Sequence, residues 1–171
     1  IEGAKYAEPV WTPNSDGFYY TWVPKPGVVK DADRPGFAEI RFHKKGDDPA
    51  KDAIVHEKTG DPTTFLNVDL SRDGRWLFVS VQHGWTSNDV LFKDLGLKGK
   101  SKSEFVSLVK SATSHYGVEA FKDQFYVTTD DGAPKWKVMR VDPKRPDRSA
   151  WKDLVPEQAD MAIDGGATAI L

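Results

Sequence analysis

The sequence predicts an all-β protein made of about three four-stranded antiparallel blades of a β-propeller. The first observation is in residues 59–81, where Leu66, Val68 and Leu70 alternate with polar residues before an Asp-Gly dipeptide and a second alternating run. A period of two is typical of a strand, and Asp73-Gly74 supplies the positive φ angles of a hairpin turn. The second observation is that such strand–turn–strand units recur about every 40 to 55 residues, with about four strands per repeat, as in propeller blades.

Four strand–turn–strand units can be placed in order along the chain. They cover residues 10–23, 59–81, 118–129 and 162–171. In each unit the turn carries Asp and leads into aromatic or β-branched residues, which favour strands. Further strands are expected over residues 37–43, 53–56, 90–93, 135–141 and 151–155. The repeated order of strands favours a propeller over the alternative, a sandwich of similarly spaced strands.

These repeats divide the chain into blade units near residues 1–58, 59–112 and 113–157, with the start of a further blade over residues 158–171. Residues 101–112 also fit a helix, because Ser101 and Glu104 form a capping-box pattern. We expect a strand over residues 105–109, since they occupy the place of an outermost blade strand. Residues 24–36 are rich in proline and polar residues, and we expect a loop there that is too broken for a helix.

Composition limits the classes of function. The chain has 171 residues, of which 39% are hydrophobic, enough for one substantial core. It has no Cys, which excludes disulfides, thiolate metal sites and Cys nucleophiles. A formal charge of -2 gives no general attraction to nucleic acid or anionic lipid, and no apolar run approaches the roughly 20 residues that cross a bilayer. We expect neither a nucleic-acid nor a membrane partner, and the sequence does not indicate a cellular location.

Catalytic and metal-binding motifs are not found in the sequence. No G-x-S-x-G string marks a nucleophile elbow, and the four histidines form no H-E-x-x-H pair. The Asp-rich segments at residues 46–48 and 130–132 lack the alternating spacing of a calcium loop and are interpreted as turns. We therefore expect no catalytic residue, no metal and no cofactor in this chain.

Six motifs, taken in order, resemble the propeller domain of bacterial prolyl oligopeptidases, also called prolyl endopeptidases. They are W-T-P-N-S-D-G-F-Y-Y-T-W, R-P-G-F-A-E-I-R-F-H, E-K-T-G-D-P-T-T-F, D-L-S-R-D-G-R-W-L-F-V, Q-F-Y-V-T-T-D-D-G-A-P and D-P-K-R-P-D-R-S-A-W-K-D-L-V-P-E. The resemblance covers residues 1–157. It implies a partial, internal stretch of a seven-bladed propeller, with the other blades and the peptidase domain of the parent protein lying outside this chain.

The resemblance also implies a function. Members of this family are serine peptidases that cleave small peptides after proline with a Ser-Asp-His triad in an α/β-hydrolase domain. Their propeller covers that site and excludes folded proteins. The chain would then be a non-catalytic propeller fragment, and its partners would be the missing blades, the peptidase domain and proline-containing peptides.

Three aromatic residues match positions at which the family's propeller lends apolar side chains to the substrate pocket: Tyr6, Phe65 and Trp85. Aromatic side chains suit this task because proline offers a flat apolar ring and no N–H group. Their residue types differ from those of the family pattern. The alternative for all three is packing within the core of a blade.

Two other interpretations remain open. A free-standing propeller-like binding module would use the same blades without a peptidase domain, and an independent hydrolase lacks a nucleophile motif. A set of blades without its neighbours exposes apolar sheet faces larger than soluble monomers usually show. We therefore expect the isolated chain to self-associate through open blade edges or to be held by the remainder of its parent.

Overall fold

The computed structural model describes residues 1–4, 8–96 and 104–163. Within these residues, twelve strands form three four-stranded antiparallel sheets, which confirms the predicted fold class. Blade 1 consists of β1 (Val10–Trp11), β2 (Gly17–Trp22), β3 (Glu39–Lys44) and β4 (Ala53–His56). Blade 2 consists of β5 (Thr64–Leu70), β6 (Trp76–His83), β7 (Ser87–Asp94) and β8 (Val106–Val109). Blade 3 consists of β9 (Tyr116–Phe121), β10 (Gln124–Thr129), β11 (Lys137–Val141) and β12 (Lys152–Val155).

The choice of a strand over a helix for residues 105–109 is confirmed by β8. This strand pairs with β7, and the ladder shifts register between Val90 and Leu91. Only residues 162 and 163 of the unit predicted over residues 162–171 are described, and neither is in a strand; the rest lies outside the described residues.

The expectation of a helix-free loop over residues 24–36 is wrong in its last part. Asp31–Phe37 forms a 3-10 helix that contains Pro35. The Asp33 N–H donates to the Lys30 carbonyl at 2.9 Å, and the Ala38 N–H donates to the Pro35 carbonyl at 3.0 Å. A 3-10 helix needs only bonds between residues three apart, so consecutive tight turns form it despite the proline. Two further short 3-10 helices are Pro49–Lys51 and Arg148–Ala150.

The hairpin between β5 and β6 contains one residue with a positive φ angle. Gly74 has a φ of 73°, whereas Asp73 does not have a positive φ, so the prediction of positive φ angles at Asp73-Gly74 is correct only for the glycine. The Gly74 N–H donates to the Ser71 carbonyl at 2.7 Å, and the Ser71 N–H donates to the Trp76 carbonyl at 2.8 Å. A connection of this length uses an ordinary turn followed by one left-handed glycine.

Blade 2 packs against a neighbouring blade on each of its faces. Residues 76 and 78 of β6 point toward blade 3, and residues 79 and 81 point toward blade 1. The core between blades 2 and 3 contains Trp76, Phe78, Val90, Phe92, Leu108, Tyr116, Phe125, Val127, Met139, Val141 and Trp151. The core between blades 1 and 2 contains Ala38, Ile40, Leu66, Val79 and Val81. The alternating pattern of the sequence therefore places apolar side chains on both sides of this sheet.

The connections between strands lie at the two ends of the blades. One end, which we call the Trp85 face, carries residues 23–38, 57–63, 84–86, 110–115 and 130–136. The other end, the Arg75 face, carries residues 12–16, 71–75, 122–123 and 142–151. At the Trp85 face the Gly60 N–H donates to the Gly36 carbonyl at 2.8 Å, which joins the 3-10 helix to the segment before β5.

Candidate functional site

Phe65 is the second residue of β5, close to the Trp85 face. Its neighbours in sequence, Thr64 and Leu66, are buried, whereas Phe65 itself is 47% exposed. This alternation follows from the strand, which turns successive side chains to opposite sides. A large aromatic side chain is thus held by a rigid sheet and remains accessible.

A cavity of about 480 Å³ lies beside Phe65, between blades 1 and 2. Its lining is mostly apolar, and the 3-10 helix contributes to one wall. The lining residues are Thr21, Val23, Asp31, Arg34, Pro35, Ala38, Phe65, Leu66 and Asn67. The Arg34 Nε donates to the Pro24 carbonyl at 3.0 Å, which ties its guanidinium group to the wall. Such a mixture of apolar surface with a few polar groups suits an extended organic ligand.

Trp85 lies in the turn between β6 and β7, at the end of the blade. Its side chain is 92% exposed, the most exposed of the large hydrophobic side chains in the described part of the chain. Gly84 precedes it with a φ of 58°, a conformation that glycine adopts without strain. The Gly84 N–H donates to the Thr63 carbonyl at 3.3 Å. The turn therefore lies next to the segment that leads into Phe65.

The strand register brings the two candidate residues to the same end of blade 2. Thr64 pairs with His83 and Phe65 pairs with Gln82, so Phe65 and the Trp85 turn sit at the same end of one ladder. Tyr6, the third residue named from the sequence, lies outside the described residues.

A histidine from blade 3 contacts the Trp85 turn. The Nε2 atom of His115 is 3.0 Å from the Trp85 carbonyl oxygen, and its Nδ1 atom is 3.0 Å from Oδ2 of Asp130. The hydrogen bond from the imidazole to Asp130 raises the pKa of His115. This residue links the two blades at the Trp85 face, and no sequence motif indicates it, because His115 and Trp85 are brought together only by the docking of the blades.

Two carboxylates on or near the inner strand of blade 2 have perturbed pKa values with different causes. Hydrogen bonds from Thr63 lower the pKa of Asp61. Burial raises the pKa of Asp69. The Leu70 N–H donates to the Asp69 carboxylate at 2.7 Å, which lowers this pKa by a smaller amount. Neither carboxylate is hydrogen-bonded to a histidine, so these shifts do not indicate an acid–base pair.

The described residues do not assemble a nucleophile. In residues 1–4, 8–96 and 104–163, no serine hydroxyl is hydrogen-bonded to a histidine. His43 and Asp52 do form a pair, at 2.9 Å, but the second partner of Asp52 is the Tyr20 hydroxyl at 2.8 Å. This pair is packed inside blade 1, where His43 and Tyr20 are both buried.

The same part of the chain contains neither a metal site nor a membrane-spanning helix. No group of three or more His, Cys, Asp or Glu side chains there is arranged to hold a metal ion. None of the helices there has the length and apolar character that crossing a membrane requires.

Comparisons with known proteins extend these observations. The family model of the prolyl oligopeptidase N-terminal β-propeller domain matches residues 1–169. The prolyl endopeptidase of Elizabethkingia miricola is 27% identical over 155 residues, which cover 88% of this chain and 21% of that protein. The dual function macrocyclase-peptidase POPB of Amanita bisporigera is 26% identical over 172 residues, which cover 95% of this chain and 23% of that protein.

A solved structure is more similar in sequence than these relatives. It comes from a study of two prolyl endopeptidases and the role of inter-domain dynamics in their catalysis and specificity. It matches with a TM-score of 0.87 and 52% identity, over 93% of this chain and 23% of that one. The chain spans about a fifth of the length of the relatives that it matches.

Proposed function

Since the chain belongs to the family of prolyl oligopeptidase N-terminal β-propeller domains, we propose that it is a non-catalytic part of a prolyl endopeptidase that covers and gates the active site. The three blades supply a rigid wall, and the described residues assemble no nucleophile of their own. The serine peptidase chemistry would lie in a separate domain, and the substrates would be small proline-containing peptides.

Within this function, Phe65 and Trp85 lend apolar surface to the pocket that receives the proline of the substrate. The observation that carries this proposal is the exposure of both rings at the same end of blade 2. Core packing, the alternative for these residues, does not account for Trp85, because a core side chain is not 92% exposed. Tyr6 is the third residue of the proposal and rests on its sequence position alone.

The cavity beside Phe65 supports the same function. Its apolar walls match the ring of proline, which has no N–H group to satisfy. Arg34 and Asn67 add polar groups to the lining, and they are suited to the carbonyl oxygens of a peptide backbone. The peptide would then contact blades 1 and 2 together.

Substitution in the full-length enzyme tests this function. Phe65→Ala and Trp85→Ala should each raise KM for a short proline-containing peptide, while kcat and the thermal unfolding temperature change little. Phe121→Ala is the matched control, because Phe121 is also exposed but borders the Arg75 face. An unchanged KM in both Phe65→Ala and Trp85→Ala would remove the pocket from the proposal.

We also propose that the isolated chain self-associates through the open side of blade 1, and one observation supports this. The sheet face that points away from blade 2 carries Trp11, which is 48% exposed and packs against Phe18 with ring centroids 4.8 Å apart. Light scattering of the 171-residue chain at increasing concentration tests it. A mass that rises with concentration supports association, and a strictly monomeric species at all concentrations rejects it.

A further inference from the structure

We propose that His115 is a positioning residue, whose protonated side chain ties the Trp85 turn of blade 2 to Asp130 of blade 3 and so determines where the Trp85 ring meets a peptide substrate. The proposal rests on the proposed function of Trp85. It concerns a residue that takes no part in the chemistry and acts through the position of another side chain.

The charge requirement follows from the two atoms that the imidazole faces. Its Nδ1 is 3.0 Å from a carboxylate oxygen of Asp130, and its Nε2 is 3.0 Å from the main-chain carbonyl of Trp85. A carbonyl oxygen only accepts hydrogen bonds, and so does an ionised carboxylate. A neutral imidazole has a single N–H group and satisfies one of the two partners, whereas the imidazolium satisfies both.

The surroundings of His115 hold the ring in this orientation. The other carboxylate oxygen of Asp130 accepts the main-chain N–H of His115 at 2.7 Å, so the carboxylate is fixed at two points. Trp136 stacks on the imidazole, with ring centroids 6.1 Å apart and an interplanar angle of 29°. Asp130 holds one edge of the imidazole and Trp136 covers one of its faces. In this orientation the Nε2 atom faces the carbonyl of Trp85.

The charged groups near this contact come from three elements. Asp130 lies between β10 and β11 and bonds the imidazole directly. Asp131, the next residue, is engaged by Arg148 at 2.9 Å. On blade 2, the strands that flank the turn carry His83 and Asp89, whose side chains are 3.3 Å apart. Asp130 is thus the carboxylate that favours the charged form of His115.

The direction of the pH dependence follows from these contacts. The pKa of His115 is raised in the folded protein, so the link is complete at lower pH and is lost as pH rises through the folded pKa. Above that pH the neutral ring keeps its one N–H on the ionised Asp130, because a hydrogen bond to a charged acceptor is the stronger one. The turn then keeps its contacts within blade 2, from Gly84 to Thr63 and from Thr86 to His83. Because the Trp85 ring packs against little else, the main chain of the turn sets its position.

The test uses the full-length enzyme with His115→Gln, Asp130→Asn and His115→Arg. His83→Gln is the matched control, since His83 also faces a carboxylate at the same end of blade 2 without bonding the Trp85 carbonyl. Hydrogen exchange of residues 84–86 is compared with wild type at each pH, so that the intrinsic pH dependence of exchange cancels. KM and kcat for a short proline-containing peptide are measured over the same pH range.

We expect faster exchange of the turn in His115→Gln at low pH, and a convergence of the two proteins at high pH. KM of the wild type should rise about fivefold across the His115 pKa, as expected for the loss of one hydrogen bond, with kcat unchanged. His115→Gln should have the raised KM at every pH. His115→Arg stays charged and carries several N–H donors, so it should keep the turn protected at high pH.

Three outcomes separate the two proposals. Equal exchange of the turn in wild type and His115→Gln at low pH overturns the link itself. A raised KM in Trp85→Ala together with a wild-type KM in His115→Gln overturns the positioning role and leaves the pocket intact. An unchanged KM in Trp85→Ala overturns the pocket role of Trp85, and with it any effect of His115 on substrate.

Discussion

The indole of Trp76 in blade 2 stands perpendicular to the ring of Phe125 in blade 3, with centroids 4.9 Å apart and an interplanar angle of 88°. Phe78 and Phe92 approach the same ring edge-on, each with a centroid distance of 5.0 Å. Edge-to-face contacts add to the free energy that burial alone provides. The interface between the two blades is therefore centred on one fully buried phenylalanine.

Phe125→Ala should lower the free energy of unfolding by about 3–5 kcal/mol, because it removes a fully buried ring from this aromatic cluster. Urea unfolding of the variant measures the change. Phe121→Ala in the same hairpin is the control and should cost less than about 1 kcal/mol, since Phe121 is 40% exposed. Equal effects of the two substitutions would contradict the central role of Phe125.

Arg75 should couple weakly to Asp123 across the two blades. The guanidinium bonds Asp94 within blade 2 at 2.9 Å and reaches Asp123 in the turn before β10. Asp123 is 79% exposed, so a double-mutant cycle of Arg75→Ala and Asp123→Asn should give about 0.2–1 kcal/mol, and less at high salt. A cycle with Asp33→Asn, at the opposite end of the blades, should give no coupling to Arg75. A coupling that salt does not reduce would show that the pair is not screened as its exposure implies.

Gly36→Ala should destabilise the protein by about 1–3 kcal/mol through a steric clash. A Cβ atom at this position would lie 2.8 Å from the main-chain carbon of Asp61 and from the nitrogen of Pro62. Thermal unfolding measures the effect. Gly60→Ala is the comparison, because it meets no atom but has a φ of 79°, so it reports conformational strain alone. A wild-type melting temperature in Gly36→Ala would mean that the 3-10 helix moves away without cost.

Asp73 should make stability depend on pH in the acid range. The Ser71 hydroxyl donates to its carboxylate at 2.6 Å and the Arg75 N–H at 3.1 Å, and the first of these bonds is the larger cause of its lowered pKa. A lowered pKa contributes stability that is present above the unfolded value and is lost as pH falls through the folded one. Unfolding free energies measured from pH 6 to pH 2 should therefore fall less steeply in Asp73→Asn than in wild type. Parallel curves would contradict this assignment.

Most of the fold follows from local patterns that the sequence shows directly. The alternation around Leu66 and Val68 predicts β5, and the place of residues 105–109 in the repeat predicts β8 against a local helical pattern. The helical pattern of residues 101–112 does not decide the structure of residues 106–109, because these residues pair with β7, and tertiary pairing outweighs intrinsic propensity. The sequence does not predict the 3-10 helix of residues 31–37, because this helix consists of successive turns, which composition does not distinguish from a loop.

The candidate site could be predicted only in part. The resemblance to the family points to Phe65 and Trp85, and both side chains are exposed. The Arg34 side chain in the cavity and the contact of His115 with the Trp85 turn depend on which blades are adjacent in space. A single sequence contains no signal for such contacts, because the partners share neither a strand nor a turn.

Each ladder in the described part of the chain joins strands that follow one another directly in sequence. Short loops close at a small entropic cost, so each blade can fold from its own hairpins before it packs against a neighbouring blade. The contacts with the highest separation along the chain are those between sheets, and the Phe125 cluster is the main one. The blades should accordingly fold one after another during synthesis. The packing of blade 2 against blade 3 through the Phe125 cluster should form later.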